Sequence, residues 1–120
     1  MDNQLLNGPT SQLEENMKKA VTELLLLTLL ARKESYIGEL TEQISQKSRN
    51  TLFLIFPYAA IYRLEREEYI CETTKRIAPD GRRRQYFSIT DNGRKYLEEL
   101  QKAYLNFIDG VSYILEEPNE

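Results

Sequence analysis

The chain has 120 residues, 41% hydrophobic and 29% charged, a composition typical of one soluble globular domain and not of a disordered polypeptide. It has no histidine and a single cysteine, Cys71, which excludes an internal disulfide, thiolate–imidazole catalysis and the usual zinc sites. No secretory leader is recognisable, and the longest apolar run, Leu24 to Ala31, is too short to span a bilayer. We therefore expect a cytoplasmic protein without membrane association, metal, cofactor or enzymatic activity.

The charges are unevenly distributed along the chain. The net charge is −3, which by itself does not suggest a nucleic-acid partner. From Cys71 to Lys95, however, seven basic residues face three acidic ones, a local balance of +4. From Tyr96 to Glu120 one basic residue faces six acidic ones, a balance of −5. Because local charge decides whether a surface attracts phosphate, the basic segment is the candidate nucleic-acid surface.

Two helices are predicted in the first half of the chain. Ser11 and Glu14 have the spacing of a capping box and predict the start of the first helix. Its end, residues 24–30, is apolar nearly all round, which predicts burial on more than one side. Ser35 is expected to cap a second helix over about residues 36–46.

A third helix is predicted after Pro57. Proline fits the first turn of a helix, where its missing N–H costs nothing. The side chains expected to face inward are Ala60, Ile61 and Leu64. Residues 52–56, just before it, are apolar and β-prone, and they are left unassigned.

A β-hairpin with a basic tip is predicted next. Residues 69–77 and 85–90 have strand-like patterns, and the turn signal Pro-Asp-Gly at residues 79–81 lies between them. The tip carries Arg82, Arg83 and Arg84.

A long helix, capped by Thr90, is predicted to close the chain. Its apolar residues alternate at spacings of three and four, the pattern of a coiled-coil seam. The members of this seam are Leu97, Leu100, Tyr104, Phe107, Val111 and Ile114. The seam could pack on its own domain, but a helix of roughly 25 residues extends about 37 Å. A second copy of the chain covers that length better, so we expect a homodimer.

Three helices, a hairpin and a long helix predict a mainly α (α+β) fold, a winged helix-turn-helix with a two-stranded wing and a C-terminal dimerisation helix. The boundaries are a flexible leader at 1–10, a DNA-binding domain at 11–90 with its wing at about 69–90, a dimerisation helix at 91–116 and a tail at 117–120.

The sequence resembles the PadR-type regulators, a family named for repression of phenolic acid decarboxylase, over most of the chain. Residues 36–40 resemble the family's Tyr-Gly-Tyr-Glu-Leu, and residues 58–65 resemble its Tyr-Pro-x-Leu-x-Arg-Leu-Glu. The most specific match is residues 81–93, against Gly-x-x-Arg-Lys-Tyr-Tyr-x-Leu-Thr-x-x-Gly. Residues 55–57 depart from the family's usual Gly-Thr-Leu, Ile37 stands where glycine is usual, and the tryptophan of drug-binding members is absent.

The resemblance and the charge pattern together imply a DNA-binding surface on the third helix and the wing. Arginines at a hairpin tip can clamp phosphates, and a helix in the major groove can read bases. The expected contacts are Lys47, Arg49, Tyr58, Tyr62, Arg63, Arg82, Arg83 and Arg84. Each of these contacts has a competing interpretation. The arginines could lie in a solvated loop that touches no DNA, the tyrosines could pack in the core, and Arg63 could pair with Glu67 and not reach DNA.

The function implied is transcriptional regulation, as a repressor that binds duplex operator DNA as a homodimer. Tyr96, Tyr104 and Phe107 suggest a pocket for a small-molecule effector between subunits, with an ordinary aromatic core as the alternative. Cys71 is expected to be a buried structural thiol and not a redox sensor. The alternative function is a winged-helix dimer that docks proteins and has no operator.

Overall fold

The computed structural model describes residues 8–54 and 57–118, and in this part the chain forms four helices and three strands. They are α1 Ser11–Arg32, β1 Ser35–Tyr36, α2 Ile37–Lys47, α3 Tyr58–Arg66, β2 Ile70–Ile77, β3 Arg83–Ile89 and α4 Asp91–Leu115. The predicted winged-helix fold is confirmed. Residues 1–7 of the predicted leader, residues 55–56 of the unassigned segment, and residues 119–120 of the predicted tail lie outside the described residues.

The start of α1 differs from the predicted capping box. The backbone turns at Gly8, whose carbonyl accepts from the Ser11 N–H at 3.1 Å, so Ser11 already lies inside the helix. Thr10 occupies the N-cap position, and its hydroxyl donates to Glu14 at 3.0 Å. The prediction that Ser11 caps α1 is therefore wrong by one residue.

The predicted cap of α2 is also wrong, because Ser35 belongs to a strand. β1 pairs antiparallel with β3, with Ser35 opposite Phe87 and Tyr36 opposite Tyr86. Ser35 is buried, and its hydroxyl donates to the Lys33 carbonyl at 3.1 Å. α2 consequently begins two residues after Ser35, with Tyr36 at its N-cap.

The wing is part of a three-stranded antiparallel sheet in the order β1-β3-β2. The predicted hairpin of β2 and β3 is present, and the two-residue β1 adds a third strand that the sequence pattern did not indicate. At the hairpin turn, Gly81 has φ +84°, a conformation that favours glycine, and its N–H donates to the Ala78 carbonyl at 2.9 Å. The sheet fixes the wing to the segment between α1 and α2.

The end of α1 forms the centre of the hydrophobic core. It packs against α2, α3, α4 and β3, which explains why this helix is apolar on several sides and confirms its predicted burial. On α3, Ile61 and Leu64 are buried as predicted, and Ala60 is partly buried against the same core. The buried residues of the core are Leu26, Leu27, Leu29, Leu30, Leu40, Ile44, Ile61, Leu64, Ile70, Phe87, Ile89 and Leu97.

A close junction joins the wing to α4. Thr90 caps α4 as predicted, since its side chain accepts from the Gly93 N–H at 3.0 Å. The same hydroxyl donates to the Glu68 carbonyl at 2.6 Å, and the Thr90 N–H donates to the Tyr69 carbonyl at 3.0 Å. A Cβ added at Gly93 would lie 2.0 Å from the Tyr69 carbonyl oxygen, so only glycine fits there. These contacts fix the direction in which α4 leaves the domain.

Candidate nucleic-acid interface

The arginines at the wing tip are of two kinds. The Asp80 carboxylate accepts from the Arg84 side chain at 2.6 Å and from the Arg82 backbone N–H at 3.0 Å. This hydrogen bonding with Arg84 holds the pKa of Asp80 below its usual range. The side chains of Arg82 and Arg83 are exposed, and within the described part of the chain no ion pair or hydrogen bond engages their guanidinium groups. Two guanidinium groups are therefore available to phosphate at the tip, and Arg84 is held by the loop.

Arg76, on the neighbouring strand, is also held by the fold. Its guanidinium lies 3.5 Å from the centre of the Tyr86 ring and donates to Glu34 at 2.7 Å. The hydrogen bond from Arg76 lowers the pKa of Glu34. Arg84 lies 5.5 Å from the Tyr36 ring, which meets Tyr86 edge to face. This alternation of arginine and tyrosine stiffens the wing. It also means that two of the wing's cations are already engaged by partners within the fold.

α3 presents two tyrosines to solvent. Tyr58 is 60% exposed and Tyr62 is 66% exposed, while Ile61 and Leu64 face the core. The Arg66 guanidinium lies 6.0 Å from the Tyr62 ring centre. The alternative in which the two tyrosines pack in the core is therefore wrong, because the buried stripe of this short helix lies on its other side.

Arg63 has a partner that the sequence did not reveal. Its Nη1 donates to both carboxylate oxygens of Glu23, on α1, at 2.6 and 2.7 Å. The Tyr96 hydroxyl, on α4, donates to the same carboxylate at 3.0 Å. Hydrogen bonding to Glu23 raises the pKa of Arg63 above its already high usual value. The competing Arg63–Glu67 pair is wrong, since Glu67 is paired with Arg66 at 3.8 Å.

Glu23 is thus a residue of the site that the motif analysis missed, and Tyr96, which was predicted for the effector pocket, hydrogen-bonds to Glu23. Glu23 and Arg63 are 40 residues apart, and Tyr96 is 73 residues from Glu23, so no spacing along one helix connects them. The available signal was weak: Glu23 is the lone charged residue among residues 20–31, which are otherwise apolar except for two threonines.

Lys47 and Arg49 lie at the end of α2 and in the loop after it. Both are exposed, and within the described residues no hydrogen bond or ion pair engages their side chains. Arg49 and Asn50 have φ of 56° and 63°, so the chain reverses there, and the Asn50 N–H donates to the Ser45 carbonyl at 2.8 Å. The loop therefore displays both cations at a sharp backbone turn.

The predicted seam of α4 divides into two parts. Leu97 is only 8% exposed and belongs to the core of its own domain, with Leu100 partly buried beside it. Farther along, Phe107 is 69% exposed and Ile114 is 75% exposed. Tyr104 and Val111 are also exposed in the single protomer. The first residues of the seam thus pack in the hydrophobic core, and the remaining ones form an apolar stripe that is open to solvent.

An apolar groove of about 280 Å³ lies between α1 and this stripe. Its lining consists of Met17, Ala20, Val21, Leu24, Leu100, Ala103, Tyr104, Phe107 and Ile108. Tyr104 and Phe107 come together here, whereas Tyr96 stacks on Tyr69 with ring centres 4.2 Å apart. The proposed aromatic set is therefore only partly assembled within one protomer.

Other kinds of site find little support in the part of the chain that the structure describes. Cys71 is exposed on β2, so the expectation of a buried thiol is wrong; β2 is an edge strand with only Ile70 buried. No group of three or more acidic or cysteine side chains among the described residues could hold a metal ion. None of the described helices is both long and apolar enough to cross a membrane.

Comparisons with known proteins agree with this fold. The model of the transcriptional regulator PadR-like family matches residues 26–99. The uncharacterized protein X of Lysinibacillus sphaericus is 31% identical over 94 residues, covering 77% of this chain and 85% of the relative. A PadR-like transcriptional regulator from Bacillus cereus superposes with a TM-score of 0.72 at 25% identity, covering 86% of this chain and 99% of its own.

The fold recurs at lower identity. A transcriptional regulator from Clostridium thermocellum superposes with a TM-score of 0.76 at 22% identity, covering 84% of this chain and 96% of its own. The family model includes the core, α3, the wing and the start of α4, which are the elements that build the candidate interface. The chain belongs to the PadR-like family of transcriptional regulators.

Proposed function

We propose that this regulator is a cytoplasmic repressor that binds duplex operator DNA as a symmetric homodimer. In this proposal α3 enters the major groove and the wing contacts the adjacent backbone. The observation that carries it is the pair of exposed guanidinium groups, Arg82 and Arg83, at the tip of a hairpin that internal contacts make stiff. A rigid hairpin with free arginines at its tip suits bidentate phosphate contacts.

The remaining DNA contacts divide by chemistry. Lys47 and Arg49 are exposed cations in and beside the turn after α2 and suit phosphate. Tyr58 and Tyr62 are the exposed aromatic side chains of α3, where a hydroxyl can donate to a base edge or a phosphate. Arg84 supports the wing tip through its hydrogen bonds with Asp80, which offsets its charge. The phosphate contacts provide affinity and register, and the α3 side chains provide sequence discrimination.

Dimerisation is supported by the unpartnered apolar stripe of α4. Tyr104, Phe107, Val111 and Ile114 are exposed on one side of a helix of 25 residues, next to an apolar groove formed with α1. Exposed apolar side chains in a continuous patch mark an interaction surface. A second copy can place its own stripe on this patch, and the contact then closes with twofold symmetry. Two α3 helices held this way suit an operator with two half-sites.

A small apolar effector could bind at the same place. Tyr104 and Phe107 line the groove between α1 and α4, and the partner's α4 would close it. A ligand there contacts the dimer helices directly, so it can favour one spacing of the two α3 helices over another. In this scheme the effector is an inducer that releases the operator.

A second candidate, a protein-docking dimer without an operator, is favoured by one observation. Two of the arginines expected to contact DNA are paired internally, Arg63 with Glu23 and Arg84 with Asp80, and Arg76 of the basic segment is paired with Glu34. Together with the net charge of −3, these pairs reduce the positive potential of the surface.

A gel shift with the upstream region of the chain's own gene tests the proposal. Binding that withstands excess random duplex supports operator recognition, because phosphate contacts alone are sequence-independent. The double variant Arg82→Ala/Arg83→Ala is the matched control and should weaken binding to both duplexes. Failure of the wild-type protein to bind any duplex at low salt would overturn DNA binding and favour the docking candidate.

A further inference from the structure

Glu23 lies where the three functional helices come together. α3 and α4 each pack on α1. The Glu23 carboxylate, on α1, accepts two hydrogen bonds from Arg63 of α3 and one from Tyr96 of α4, all at 3.0 Å or less. One side chain therefore joins the candidate DNA-reading helix to the candidate dimer helix.

The Glu23 cluster, defined as Glu23, Arg63 and Tyr96, is held more firmly than a surface ion pair. The Glu23 side chain is 20% exposed and the Arg63 side chain is 44% exposed, and the carboxylate accepts from both a planar guanidinium and a phenol. A phenol is protonated at neutral pH, and burial raises the pKa of Tyr96 further, so its hydroxyl donates to Glu23. A carboxylate that accepts hydrogen bonds from two side chains on different helices fixes geometry better than a single pair of long side chains.

Tyr96 extends the cluster to the wing. Its ring stacks on Tyr69 at 4.2 Å with an interplanar angle of 13°. The Tyr69 backbone in turn accepts from the Thr90 N–H, at the cap of α4, and donates to the Leu64 carbonyl on α3. The position of α4 is thus tied to α3 and to the base of the wing by a continuous set of polar and ring contacts.

We infer that Glu23 is a positioning residue, which through Arg63 and Tyr96 sets the angle between α3 and α4 and thereby the separation of the two α3 helices in the dimer. This inference rests on the proposed function. It replaces the expectation that Arg63 reaches DNA, because its guanidinium is engaged with Glu23. In a twofold dimer a small change in this angle acts on both half-sites, since operator spacing mirrors the protein geometry.

Two explanations of Arg63 predict opposite behaviour for Glu23→Gln. If Arg63 positions α3, then Glu23→Gln and Arg63→Gln each weaken operator binding by between about 2-fold and 100-fold, and the double variant is no worse than either single variant, as for one network. If Arg63 contacts DNA, Glu23→Gln releases the guanidinium and leaves binding unchanged or tighter, whereas Arg63→Gln weakens it.

The experiment measures affinities for duplexes selected by the wild-type protein from a random-sequence library. The half-site separation in these duplexes is then varied in single base-pair steps. The matched control is Glu15→Gln, which removes the same charge from α1 but breaks only the local pair with Lys18. We expect Glu23→Gln, Arg63→Gln and Tyr96→Phe to change the preferred half-site separation without changing the salt dependence of binding. Glu15→Gln should behave as the wild-type protein.

Several outcomes would overturn the inference. One is an unchanged preference for half-site separation in all three variants. Another is that Arg63→Gln lowers operator affinity and makes the salt slope shallower while Glu23→Gln leaves both unchanged. If the wild-type protein selects no duplex, the proposed function fails. Amide hydrogen exchange then tests separately whether the Glu23 cluster positions α3. Faster exchange of α3 amides in Glu23→Gln and Tyr96→Phe, but not in Glu15→Gln, supports the positioning role, and unchanged exchange overturns it.

Discussion

The wing and the outer half of α4 are both open to solvent, yet their chemistry is opposite. The wing tip displays Arg82 and Arg83 on a stiff hairpin. The outer half of α4 displays Phe107 and Ile114 on a helix that runs beyond its own core. Exposure alone does not identify a partner, whereas the type of side chain supports the two that are proposed: a polyanion for the wing and a second copy of the chain for α4.

The largest effect is expected from placing a charge on the apolar surface. Phe107→Asp would bury two unpaired carboxylates in a symmetric dimer, each costing several kcal/mol, so the protein should become a monomer. Sedimentation velocity at micromolar concentration measures this. Tyr113→Asp is the control, since Tyr113 is exposed on α4 but is not part of the seam. A wild-type chain that already sediments as a monomer would contradict the proposed dimer.

The next effect distinguishes the free arginines of the wing from the held ones. Arg82→Ala/Arg83→Ala should weaken binding to specific and random DNA alike, and the log–log salt slope should become shallower by roughly 0.9 for each phosphate that is no longer neutralised. Arg76→Ala/Arg84→Ala removes the same charge from positions paired with Glu34 and Asp80, and should change the slope less. Equal slopes in both double variants would mean that pairing does not decide which arginines bind phosphate.

A smaller effect concerns the junction between the two surfaces. Gly93→Ala places a methyl group 2.0 Å from the Tyr69 carbonyl oxygen, so α4 must shift against the wing at a cost of roughly 1–3 kcal/mol of stability. Gly110→Ala, on the same helix, meets nothing within 4 Å and should stabilise the protomer by about 0.5–1 kcal/mol. Urea unfolding compares the two variants. A destabilising Gly110→Ala would instead indicate close approach of a partner's backbone.

The smallest effect is the titration of Asp80. Hydrogen bonding with Arg84 depresses its pKa in the folded protein, so its contribution to wing stability is present above the ordinary aspartate pKa. That contribution is lost as the pH falls through the depressed value. Carboxyl NMR titration should show the pKa of Asp80 rising toward its usual range in Arg84→Gln and staying low in Arg83→Gln. A normal Asp80 pKa in the wild-type protein would contradict the pairing.

Patterns within single segments predicted most of the fold. Helical spacing located α1, α3 and α4, the Pro-Asp-Gly turn located the hairpin, and the Thr90 cap marked the start of α4. These features depend on residues within a few positions of one another, so they can be read along the chain. The candidate site was predicted less completely, because it depends on which charged side chains are already paired.

Ser35 illustrates why local reading fails at some positions. Its type and place suggest a helix cap, but pairing with Phe87 on β3 draws it into a strand. A strand partner distant in sequence therefore decided this position. Cys71 follows the buried Ile70 on β2, and because successive side chains of a strand point to opposite faces of the sheet, Cys71 lies exposed.

The sequence predicted the four helices, the hairpin, the basic tip, the apolar seam and the family resemblance, but not the strand β1. Which of the predicted site residues are free follows only from the packed structure. It paired Arg63 with Glu23, placed Leu97 in the core while leaving Phe107 exposed, and tied Tyr96 to α1. Helix and turn formation depend on near neighbours, whereas ion pairing and burial depend on which distant segments the packed core brings together.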